Sequence, residues 1–111
     1  MAYDVDLADR IRDVLGAEPE LTEKKMFGGL AFLLGGHLAV AASGQGGLLV
    51  RVDPAVADDL LASTSAEPME MRGRPMPGWL RVPSVEVSDE ADLERWVALA
   101  TSFVATLPPK R

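Results

Sequence analysis

The sequence has 111 residues, no Cys and a formal net charge of −6. One domain of this size buries enough surface for an ordinary core without disulfides or a structural metal. The lack of Cys excludes thiolate chemistry, Fe–S clusters and Cys-rich zinc sites, and the acidic balance disfavours a nucleic-acid binder, which carries a basic footprint.

Met1 to Asp6 is acidic and has no apolar h-region, so it does not read as a signal peptide. The absence of Cys fits a reducing compartment, and a cytoplasmic location is expected. Asp4 to Leu15 reads as a helix, because Leu7, Ile11, Val14 and Leu15 form one apolar stripe. Gly16 is a natural stop, and Pro19 hinders continuation.

Lys25 to Leu34 reads as the first strand, with Gly28-Gly29 inside it as a bulge or a close backbone approach. Gly35-Gly36 is a two-residue hairpin signal, His37 to Ser43 the second strand, Gly44 to Gly47 a turn, and Leu48 to Val52 the third strand. The stretch Met26 to Val50 has no formal charge over 25 residues, long enough to span a bilayer. Its seven Gly, with two Gly pairs at turn-like spacing, favour hairpins over a membrane span.

Asp53-Pro54 supplies an N-cap and a Pro at the first helical position, opening a helix to about Ala62 with Val56, Leu60 and Leu61 on its apolar side. Met69 to Arg72 alternates as a short strand. Gly73 to Gly78 is a turn-rich loop whose two Pro residues keep it from being a central strand. Trp79 to Val82 is a fifth strand. Ser88 or Asp89 then caps a last helix with the stripe Leu93, Trp96, Val97, Ala100, Phe103, Val104 and Leu107, ended by Pro108-Pro109. The expected fold is a single α+β domain over 1–111. An antiparallel β-meander sheet carries helices packed on one face, in the order α-β-β-β-α-β-β-α.

Three segments carry a resemblance. Lys24-Lys25-Met26-Phe27-Gly28-Gly29-Leu30-Ala31-Phe32, Leu49-Val50-Arg51-Val52-Asp53-Pro54 and Gly73-Arg74-Pro75-Met76-Pro77-Gly78-Trp79 occur in order and at matching spacing. Together they resemble the TfoX/Sxy N-terminal domain family over nearly the whole chain. The resemblance implies a compact α+β domain similar to type III secretion chaperone-like folds. It also implies a link, in the longer regulatory members, to natural competence and gene regulation. Those members carry a second, C-terminal domain that is not expected here, and many stand-alone members have no known biochemical activity.

No catalytic residue, metal site or cofactor is expected. His37 is the only histidine and reads as a hairpin-strand residue. Gly44-Gln45-Gly46-Gly47 lacks the Gly-Lys-Ser/Thr of a phosphate loop and is followed by a strand rather than a helix. Asp6, Asp9 and Asp13 read as a solvated helix face. Met69, Met71 and Met76 read as ordinary core or as an adaptable edge.

The charge is distributed unevenly: residues 24–85 carry six bases and five acids, whereas residues 1–23 carry seven acids and two bases. Arg51, Arg72 and Arg81 take outward positions on their strands, Lys25 precedes the first strand, Arg74 sits in the Pro-stiffened loop, and Trp79 lies beside them. Arg suits carboxylate or phosphate, and Trp offers a stacking surface. The alternative is that these cations pair with acidic helices and solubilise the sheet.

The leading expectation is a non-enzymatic binding or regulatory module working through protein–protein contact with an unidentified protein partner, with homodimerisation open. The alternative is a protein that binds a small anionic ligand or nucleotide, with enzymatic activity open. Membrane association is not expected, and direct nucleic-acid binding is the weakest reading.

Overall fold

The computed structural model describes residues 3–16, 18, 20–26, 28–71 and 73–108. Helix α1 is Val5–Leu15. The carboxylate of Asp4 accepts the Leu7 backbone N–H at 3.1 Å and satisfies one orphan donor of the first turn. Four strands follow: β1 Leu21–Met26, β2 Gly29–Leu34, β3 His37–Ala42 and β4 Leu48–Arg51. Then come α2 Pro54–Ser63, β5 Glu67–Met71, β6 Arg74–Val82, a 3-10 turn over Ser84–Val87, and α3 Glu90–Val104.

All strand pairs are antiparallel, in the spatial order β1-β2-β3-β4-β6-β5. The α+β class, the meander and the succession of helices and strands are as expected. The expected first strand differs in one respect. The chain does not run through Gly28-Gly29 with a bulge but reverses there, and Leu21–Met26 pairs back on Gly29–Leu34.

Gly28 has φ 76°, a left-handed conformation that most residues avoid. A Cβ on Gly29 would overlap the Ala42 carbonyl, and one on Gly44 would sit 2.6 Å from the Gly28 carbonyl oxygen. The β1–β2 turn is therefore pressed backbone-to-backbone against the β3–β4 turn. These glycines permit that close approach. Phe27 of the same motif lies outside the described residues.

The main core fills the space between the helices and one sheet face. Leu30, Phe32, Val40, Ala42, Leu48, Val50, Leu80 and Val82 meet Leu7, Ile11 and Leu15 of α1 and Leu93, Trp96, Val97, Ala100 and Val104 of α3. In α2, Leu60 and Leu61 pack against the core as expected, with Ala57 buried beside them, whereas Val56, expected on the same side, is exposed. Asp89 is the residue preceding α3, but its side chain makes no cap hydrogen bond.

Ion pairs clamp the helix layer. Arg12 bridges Glu23 of β1 at 2.7 Å and Asp9 at 2.6 Å, and Arg10 reaches Glu90 at 2.7 Å. Among the described residues, no helix is long and apolar enough to cross a membrane. The uncharged stretch from Met26 onward is folded into strands instead.

Candidate functional site

Side chains alternate across a strand, so the residues between the core positions point to the other sheet face. Ala31, Leu38, Ala41 and Leu49 lie there, with exposures of 1%, 8%, 6% and 8%, and Met26, Leu33, Met69 and Trp79 pack around them. Among the described residues no helix contributes to this second cluster. Its burial comes from the sheet's own curvature.

The geometry of one cavity shows that curvature. Met26 of β1 and Met69 of β5 line the same cavity, although β1 and β5 are opposite edges of a six-stranded sheet. In a flat sheet those edges would stand roughly 24 Å apart. The small Ala31 and Ala41 at the centre leave room for the curl. A bulge adds to it: Phe32 pairs with Val40 and Leu33 with Leu38, leaving Ala39 unpaired. The result is a shallow cup, floored by apolar side chains, with a cavity of about 110 Å³.

The cationic residues take different places around this cup. Arg51 stands opposite Trp79 in the β4–β6 register. Its guanidinium carbon is 5.1 Å from the Trp79 ring centroid and 5.6 Å from that of Phe103 on α3. Two rings therefore hold the cation by their faces. Arg81 is opposite Leu49 on one side and Glu67 on the other, and it lines the cavity together with Gln45 and Glu70.

The other expected members do not join Arg51, Trp79 and Arg81. Lys25 is the cross-strand partner of Leu30, a main-core residue, so it faces the helix layer. Lys24, opposite Ala31, takes the place on the cup side. Arg74 is exposed at the tip of the β5–β6 hairpin, opposite Met71 and beyond a break in register. Arg72 lies outside the described residues.

The notion that these cations pair with acidic helices meets a different geometry. Among the described residues, the ion pairs within 4 Å involve Arg10, Arg12 and Arg95, and none involves Lys24, Lys25, Arg51, Arg74 or Arg81. Sequence reasoning missed Lys24, Met26 and Phe103 as site residues. The strand register around Gly28 decides the first two, and Phe103 enters only through the packing of α3.

The remaining polar candidates serve structure. His37 opens β3, and its Nε2–H donates to the Pro108 carbonyl oxygen at 2.6 Å, tying the β2–β3 hairpin to the segment that follows α3. Among the described residues, no group of three His, Asp or Glu is placed to hold a metal ion.

Comparison with known protein families matches residues 13–104 to the TfoX N-terminal domain, from within α1 to the last residue of α3. No curated protein and no solved structure matches the chain.

Proposed function

The chain belongs to the TfoX N-terminal domain family, and from that premise we propose that it is a non-enzymatic binding or regulatory module whose cupped sheet face docks a protein partner. One observation carries this reading. Ala31, Leu38, Ala41 and Leu49 form an apolar floor on the sheet face opposite the helices. An apolar centre ringed by polar and charged groups is the composition of a protein interface, where aromatic, Met and Arg side chains are enriched. Met26, Met69, Trp79, Arg51 and Arg81 supply that ring.

The test is co-purification from the native host with variants that alter one face at a time. Met69→Glu charges the cup rim, and Val56→Glu charges the exposed side of α2 as a control. A partner retained by the wild type and by Val56→Glu, and lost with Met69→Glu, supports the reading. Absence of a reproducible partner, with a monomer by light scattering, ends it. A partner that is simply a second copy identifies the module as a homodimer.

The geometry of Arg51 supports a second reading. Its two faces are taken up by rings, but the N–H groups at its edge can still donate to a carboxylate or phosphate. A small anionic ligand or nucleotide there would raise the melting temperature in a thermal-shift screen. The effect would vanish with Arg51→Ala, and a flat screen removes this reading.

A further inference from the structure

We infer that the cup accepts a single leucine-sized side chain from an acidic segment of the partner, an inference that rests on the binding-module reading above. The first argument is size. Pockets for drug-sized ligands measure roughly 300–1,000 Å³, and a dry cavity of about 150 Å³ takes a benzene. The cup's cavity is about 110 Å³. It has room for one aliphatic side chain and none for a nucleotide base with its sugar.

The second argument is chemistry. The floor is formed by Ala31, Leu38, Ala41 and Leu49, and Met26 and Met69 wall it from opposite sheet edges. Thioether side chains adapt their shape, so these walls can close on a guest of imperfect fit. A buried anchor surrounded by a polar rim is how a small interface concentrates its binding energy.

The third argument is charge. Lys24, Arg51 and Arg81 stand around the cup, and among the described residues none has a carboxylate within 4 Å. In the helix layer Arg10, Arg12 and Arg95 are each paired. The cup therefore offers charge for an incoming acid, while the arginines carried by α1 and α3 are engaged. The acids near the cup, Glu67 and Glu70, both belong to edge strand β5. They orient the guest, whose acidic side faces Lys24 and Arg51 and turns away from β5.

The test uses the intact chain with isotopically labelled Met methyl groups and three synthetic peptides. One carries a single Leu flanked by glutamates, one replaces that Leu by Ala, and one keeps Leu but has lysine flanks. Met76 is the internal control, because it lines a different cavity, against α2. The expected result is saturable shifts of the Met26 and Met69 methyl signals, with Met76 unchanged, on adding the glutamate-flanked peptide. Binding should weaken about tenfold on Leu→Ala in the peptide, the scale of losing one buried aliphatic side chain. It should weaken again as salt rises.

No saturable Met26 or Met69 shift with any peptide overturns the inference, as does equal binding of the lysine-flanked peptide. Met26 and Met69 signals that change on dilution, with a dimer by light scattering, assign the cup to a second copy and overturn it too. If a native partner is still lost with Met69→Glu while every peptide is silent, the docking face stands and the acidic guest is wrong. If both fail, the module reading fails with it.

Discussion

Arg51 and Trp79 face each other across β4 and β6, with the guanidinium carbon 5.1 Å from the ring centroid. Phe103 of α3 approaches the same guanidinium at 5.6 Å. One cation thus links the sheet to the helix layer at the rim of the cup. The pair belongs both to the fold and to the candidate interface.

The first prediction separates those roles. A double-mutant cycle of Arg51→Ala and Trp79→Ala, read by urea unfolding, should give a coupling of about 0.5–1 kcal/mol, the range for cation–π pairs at partly exposed sites. Arg51→Lys should keep part of it, because the charge remains while the flat stacking is lost. Strict additivity of the two alanine variants would mean the stack contributes nothing to stability.

The second prediction concerns the pressed turns. Gly29→Ala drives a Cβ into the Ala42 carbonyl, and Gly44→Ala drives one toward Gly28. Each should cost on the order of 3 kcal/mol, at the upper end for single substitutions. Gly46→Ala is the comparison: it meets nothing within 4 Å but holds φ 92°. Its cost should be about 1–2 kcal/mol, from backbone strain alone. Equal losses at Gly29 and Gly46 in thermal unfolding would remove the close-approach explanation.

Much of this architecture can be read from residue patterns. The stripes of α1 and α3, the Gly35-Gly36 hairpin and the Asp53-Pro54 start of α2 are local signals, and each forms as expected. Strand β1 is not legible, because as an edge strand it buries little. Glu23 and Lys25 share one side and Thr22 and Lys24 the other, so no apolar alternation appears.

The Pro-rich stretch from Arg74 to Gly78 reads as a loop, yet it opens β6. It extends past the end of β4, whose pairing covers only Trp79 to Val82, so Pro75 and Pro77 break no ladder with β4. The cup itself depends on curvature that brings Met26 and Met69 together from opposite edges. No local pattern reports such a long-range effect, and the reversal at Gly28, which sets the β1 register, is what places Lys24 rather than Lys25 on the cup side.

The third prediction is a pH dependence. The hydrogen bonds from Arg12 hold the Glu23 carboxyl below its ordinary value of 4.5. A depressed carboxylate adds stability above its unfolded value, and that stability is lost as pH falls through the folded value. Unfolding midpoints measured down from neutral pH should therefore drop below about pH 4.5, and Glu23→Gln should flatten part of that drop. The pair is solvent-facing, so the effect is modest and shrinks in high salt. A Glu23→Gln profile parallel to the wild type would show that the bridge carries no linkage.

The fourth prediction concerns His37. Its Nε2–H is the donor to the Pro108 carbonyl, so His37→Ala should loosen the segment that follows α3 at a cost of about 1 kcal/mol. Amide exchange should quicken at Ala105, Thr106 and Leu107 and stay unchanged in β4. Uniform acceleration across the sheet would mean that His37 supports the whole fold instead.

The docking role of the cup is tested most directly by site-specific photo-cross-linking in the native host. A photoreactive residue is placed at Met69 on the cup rim or, as a control, at Val56 on the exposed side of α2. The account predicts a discrete, reproducible protein adduct from position 69 and none from position 56. Equal yields from the two positions, or no adduct from position 69, would contradict it.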